Sequence, residues 1–157
     1  MNKDDLIVSK TDLKGQITYG NEYFIKMSGY KESELLNAPH NILRHEDMPK
    51  VVFKLLWERI QKNQRINAYV KNKAKSGDFY WVFANVTASL DENDKIVGYY
   101  SVRRKPSAQG QKSAESLYAS LLDAERTGGV SASAKLLEDE LNKAGVSYDE
   151  FVINLQK

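Results

Sequence analysis

The segment Ile66–Leu90, INAYVKNKAKSGDFYWVFANVTASL, decides the architecture. In its first part Ile66, Ala68 and Val70 alternate with Asn67, Tyr69 and Lys71, the period of a strand with one apolar face. KSGD at Lys75–Asp78 is a hairpin turn. Beyond it Tyr80, Val82, Ala84, Val86, Ala88 and Leu90 form an unbroken apolar series at every second position, and Phe79, Trp81 and Phe83 occupy the opposite face. The two strands therefore pair antiparallel in a sheet whose faces both need cover.

Outward from this hairpin, DEND at Asp91–Asp94 turns the chain into a last strand, KIVGYYSVRRKP, closed by Pro106. Upstream, DLIVSKTD and LKGQITYGN read as a strand, a turn at Gly15 and a second strand. Short helices lie between: Asn21 caps EYFIKMSGY, which Gly29 stops, and KESELLN adds a turn or two. The longest places Val52, Leu55, Leu56 and Ile60 on one face with Trp57 at its edge, and Asp47 is its expected N-cap. Two strands, several helices and three strands in meander predict an α+β fold, a five-stranded antiparallel sheet with short helices on one face.

After Pro106 the composition shifts, giving an expected division into residues 1–105 and a helical extension over 106–157. SAQGQKSAES reads as a linker or loose helix start, ESLYASLLDAERTGG as a helix stopped at Gly128-Gly129, and VSASAKLLEDELNKAG as another ending at Gly145. SYDEFVINLQ is a third, with Ser147 as N-cap. Their apolar stripes need a partner surface, because helices this short do not persist alone in water.

Composition narrows the function. With 23 basic and 21 acidic residues the net charge of +2 builds no field for nucleic acid or anionic lipid. No apolar run approaches the ~18 residues of a membrane span, and MNKDDLIVSK has no signal core. A cytoplasmic chain without membrane insertion is expected. Cysteine is absent, which removes disulfides, thiolate metal sites, cysteine nucleophiles and thiol-attached cofactors.

The chemistry-bearing stretch is His40–Trp57, HNILRHEDMPKVVFKLLW, which holds both histidines. His40 and His45 are not at the i, i+4 spacing of a helical zinc pair, and nothing pairs a base with a nucleophile, so no enzyme is expected. On the residues alone, Asp47 caps its helix and Arg44 pairs with Glu46 or Asp47. Asn72 closes the apolar stripe of its strand, and Arg103 shares a face with Tyr99 and Ser101. An amide and a guanidinium over one pocket suit a ligand rich in carbonyl oxygens or phosphates. The opposite face, with Tyr69, Phe79, Trp81, Phe83, Tyr100 and Val102, needs the N-terminal segment, the C-terminal helices, a partner or a second subunit as cover.

NEYFIKMSGYKESELL, HNILRHEDMPKVVFKLLW, VKNKAKSGDFYWVFANV and GYYSVR together resemble the PAS domain of aerotaxis receptors, over about residues 10–105. The resemblance implies a non-covalently bound FAD that reports redox state. It places flavin-sensitive positions at Arg44, His45 and Asp47, with His40, Asn41 and Trp57 nearby in the same stretch. Asn72 stands where flavin-binding PAS and LOV domains place an asparagine on the ring edge, and Arg103 replaces the LOV glutamine. Ile66 stands where such receptors carry a tryptophan. LOV adduct chemistry is excluded, since it requires a cysteine. The chain resembles most the PAS-only partner of a split energy-taxis system, which implies a membrane chemoreceptor-type signalling partner and allows a homodimer. The competing expectations are a cofactor-free interaction module and a haem sensor with His40 or His45 as axial ligand.

Overall fold

The alternation becomes a five-stranded antiparallel sheet in the computed structural model, which describes residues 1–157. Along the chain run β1 (Ile7–Thr11), β2 (Ile17–Gly20), α1 (Glu22–Ser28), α2 (Glu32–Leu35), a 3-10 turn (His40–Leu43) and α3 (Lys50–Ile60). They are followed by β3 (Ile66–Lys73), β4 (Phe79–Leu90), β5 (Ile96–Arg104), α4 (Ala108–Ala144) and α5 (Tyr148–Gln156). Strand order is β2-β1-β5-β4-β3. Register places Ala68 opposite Ala84, Ala84 opposite Arg103 and Ile7 opposite Arg103, so the even positions of β3 and β4 share the inner face with the odd positions of β1 and β5. Ile7, Ile66, Ala68, Val82 and Ala84 are buried there.

Local chemistry sets the connections on that face. The Asn21 side chain accepts the Phe24 N–H at 2.9 Å and the Val8 N–H at 3.1 Å, so one amide starts α1 and ties it to β1. Gly29 ends α1 at φ 73°, a left-handed conformation that glycine adopts without Cβ strain. An isolated bridge between Arg44 and Asn72 pins the segment after the 3-10 turn to β3.

The start of α3 departs from the sequence expectation. Its N-cap is Pro49, which brings no side-chain acceptor. Asp47 instead receives Lys71 Nζ at 2.7 Å. The free N–H groups of Lys50 and Val51 donate to the Glu125 carboxylate of α4, at 2.9 and 3.1 Å.

The C-terminal helices pack on their own sheet. Ser107 starts α4 by accepting the Gly110 N–H at 3.0 Å, so of the two readings of SAQGQKSAES, linker or loose helix start, the segment is a helix start from Ala108. Gly129, at φ 73°, breaks α4 into two arms. The Tyr118 hydroxyl donates to the Tyr69 carbonyl at 2.7 Å and the Tyr148 hydroxyl to the Asn67 carbonyl at 2.8 Å. Both acceptors lie on β3, the sheet edge, whose unpaired carbonyls would otherwise template another strand. Trp81 lies against Tyr118, ring centroids 6.0 Å apart, and Tyr69 against Phe83 at 5.0 Å. Tyr69 and Trp81 are thus covered by the chain itself rather than offered to a partner, 1% and 8% exposed. Phe79 stays exposed, and Phe83, Tyr100 and Val102 are partly so. No helix is long and apolar enough to cross a membrane.

Candidate functional site

Between the inner sheet face, α3 and the 3-10 turn lies a cavity of about 210 Å³. Val70, Ala84, Val86 and Tyr99 form its sheet side, and Phe53, Leu56, Trp57 and Ile60 of α3 face them. The Trp57 indole meets the Tyr99 ring edge-on, centroids 5.5 Å apart at 89°. Gly15 packs on the same indole: a Cβ there would stand 3.2 Å from the ring at a φ of 83°, so the β1–β2 turn approaches this wall only as glycine. Lys14, Pro39, Asn41 and Arg44 are the exposed members of the lining and mark its mouth. The Arg44 guanidinium lies over the Phe53 ring at 3.8 Å rather than on Glu46 or Asp47.

Part of the lining is polar and cationic. Ser9 Oγ is 2.9 Å from His40 Nε2, Arg103 donates through Nη2 to the same hydroxyl, and its Nη1 lies 3.5 Å from His40 Nε2. With both neighbours donating, Nε2 is the acceptor and the imidazole proton sits on Nδ1. Desolvation, then the positive charge of Arg103, pushes His40 down to about 3, so it is neutral. Burial lowers Arg103 to about 10, which still leaves it charged at neutral pH. No carboxylate pairs with it. Its Nε has no hydrogen-bond partner, and neither has Asn72 Nδ2 or the Tyr80 hydroxyl, which faces Asn72 across the β3–β4 ladder. Burial also pushes the Tyr80 phenol up, so it keeps its proton. Each buried unpaired donor costs roughly 1–3 kcal/mol, more for a charged group. Two of these groups, on Asn72 and Arg103, line the cavity, which therefore suits a ligand that supplies acceptors.

His40, Asn41, Arg44, Trp57, Asn72 and Arg103 line this cavity. His45 and Asp47, grouped with them by resemblance, do not. The His45 Nδ1 accepts the Asp47 N–H at 3.0 Å and its ring turns edge-on to Phe79, 6.0 Å away, outside the pocket. Asp47 is held on the surface by Lys71. Sequence reasoning missed Ser9 and Tyr80. Ser9 was legible as the polar member of the inward positions of β1, whereas Tyr80 was hidden by being counted with its apolar neighbours. No three His, Asp or Glu side chains converge on a metal position.

The chain matches the PAS fold family over residues 17–103. It is 41% identical over 118 residues to the aerotaxis receptor of Escherichia coli strain K12, covering 75% of this chain and 23% of that receptor. It thus spans about a quarter of this relative. Its fold is similar to the light-state structure of the aureochrome 1 LOV domain, with a TM-score of 0.62 and 23% identity over 69% of this chain and 87% of that one. It is also similar to a light-oxygen-voltage domain studied with a flavin analogue, at a TM-score of 0.63 and 18% identity over 76% of this chain and 88% of that one. The meander, the helix-covered inner face and the aerotaxis-type motifs have one explanation: this chain belongs to the PAS family.

Proposed function

We propose that this chain is a cytoplasmic redox sensor for energy taxis that binds FAD in the PAS cavity and signals to a membrane chemoreceptor-type partner. The observation that carries the reading is the pair of unpaired buried donors, Asn72 Nδ2 and Arg103 Nε, in the lining of a largely apolar cavity. A flavin supplies carbonyl oxygens at one ring edge, a flat apolar body and phosphates at the other extremity. Asn72 and Arg103 would hold the acceptor edge, Trp57, Leu56, Ile60, Val70 and Val86 the ring faces, and Lys14, Asn41 and Arg44 the phosphates at the mouth. The resemblance of the motifs to aerotaxis-receptor PAS domains implies the same ligand.

When bound, the flavin supplies reversible electron acceptance with a change of ring protonation. The residues here bind and read it rather than catalyse. The uncompensated Arg103 charge favours whichever state places more negative charge at its end of the cavity. A reoriented Asn72 or Arg103 would shift the packing of β3 and β5 and so the outer face around Trp81 and Tyr100. Flavin is favoured over haem because His40 Nε2 is committed to Ser9 and Arg103, while His45 points away from the cavity.

Titration of FAD into the cofactor-stripped protein, followed by flavin fluorescence, tests the reading. Saturable one-to-one binding that Asn72→Ala weakens at least about tenfold is expected, that variant removing a buried amide bond. Equal binding by Asn72→Ala would sink the pocket assignment.

A further inference from the structure

The helix that walls the cavity is held from outside by the C-terminal extension. α3 turns Leu56, Trp57 and Ile60 toward the cavity and Val52 and Leu55 toward Leu117, Tyr118 and Phe151. Its first two N–H groups donate to Glu125. The same carboxylate accepts the Ser133 hydroxyl at 2.8 Å, and Ser133 lies beyond the break at Gly129, so one side chain joins both arms of α4 to α3. At the other end of α3, Arg59 Nη1 meets Asp149 of α5 at 2.6 Å. The wall is thus pinned at both ends by residues outside the family-matched segment, residues 17–103.

We propose that Glu125 is a positioning residue for the cavity: by fixing the start of α3 it keeps the cavity narrow, and ligand affinity is thereby coupled to docking of α4 and α5. The inference rests on the flavin reading for its ligand. At about 210 Å³ the cavity is smaller than the ~300 Å³ at which small-molecule sites begin. Its sheet side is fixed by the β3–β4 and β4–β5 ladders, and its 3-10 side is tied to that sheet by the His40 N–H to Gly15 carbonyl bond and the Arg44–Asn72 bridge, so α3 is the wall that yields. Yielding drives Val52 and Leu55 into the extension and shears the Glu125 bonds. Filling the cavity and docking the extension therefore oppose each other, and by linkage whatever loosens docking tightens ligand binding.

The sign separates this role from a merely structural one. Glu125→Ala in the full chain should tighten FAD binding by about fivefold or more, while lowering the thermal midpoint of the cofactor-free protein. Glu125→Gln, which keeps one acceptor oxygen, should fall between. In the wild type, saturation with FAD should speed hydrogen exchange in residues 114–121 and 148–155. Unchanged or weaker FAD binding by Glu125→Ala overturns the proposal, as does exchange in the extension that ignores FAD. If the wild type binds no FAD at all, the flavin reading fails. Exchange across residues 53–60 then decides: acceleration in Glu125→Ala relative to Glu125→Gln supports the positioning role, and equal exchange overturns it.

Discussion

Asn72 at the end of β3 and Arg103 on β5 lie on the inner face of one sheet, line the same cavity and each keep a buried donor without an acceptor. For Arg103 the deficit includes an unpaired charge. Taking a charge out of water costs free energy that an apolar side chain of similar length does not incur. Arg103→Met should therefore raise the urea midpoint of the cofactor-free protein while lowering the flavin retained per chain. Ser9 and His40 still bond each other in that variant. A fall in both quantities would mean that Arg103 serves the fold and not a ligand.

His40 gives the fold a definite acid sensitivity. Its folded value of about 3 lies below the ordinary 6.5, so between these values the unfolded chain takes up a proton that the folded chain refuses. Stability is then complete above pH 6.5 and is lost as the pH falls toward 3, at up to about 1.4 kcal/mol per pH unit. His40→Gln, which keeps an acceptor for Ser9, should flatten that part of the curve of unfolding free energy against pH. A slope equal to that of the wild type would contradict a neutral, desolvated His40.

The two tyrosines on the β3 edge are separable from packing, because phenylalanine keeps the ring and removes only the donor. Tyr118→Phe leaves the Tyr69 carbonyl without its 2.7 Å partner and should cost about 1–2 kcal/mol in urea unfolding. With Tyr148→Phe added, more of the edge is open, and self-association detected by sedimentation should rise. A double variant as stable and monodisperse as the wild type would show that the hydroxyls do not protect this edge.

Gly110 sits in the first turn of α4 against the Tyr69 hydroxyl and Ser107 Oγ. Helix propensity favours alanine over glycine by about 1 kcal/mol, but a Cβ here would overlap both oxygens. Packing should win: Gly110→Ala is expected to destabilise by about 1–3 kcal/mol, with the loss read in thermal unfolding. Stabilisation instead would mean that the helix start shifts freely on Tyr69.

Much of this was legible in the chain. The sheet follows from a period of two that runs through Ile66–Leu90 almost without fault, and Asn21, Gly29 and Ser147 act as caps where local chemistry predicts them. Asn72 and Arg103 were readable as polar residues at inward positions. What escaped was long-range. Asp47 had the right chemistry and place for a cap, yet Lys71 takes its carboxylate, and the cap comes from Glu125, which lies 75 positions beyond Lys50. An amphipathic stripe says that a helix must be covered but not by what, so nothing local announced that Tyr118 would close the β3 edge over Tyr69. His45 and Asp47 were drawn into the site by the resemblance, whereas the turn after Leu43 and the Arg44–Asn72 bridge carry them out of the cavity.

The most direct measurement is the absorption spectrum of the purified protein before and after dithionite, with the supernatant of a heated sample. Bands near ~450 and ~370 nm, bleached by reductant and released on heating as FAD, are the predicted result for a non-covalent flavin sensor. A spectrum without visible bands, unchanged after incubation with FAD, would contradict it and leave the donors of Asn72 and Arg103 to a different ligand.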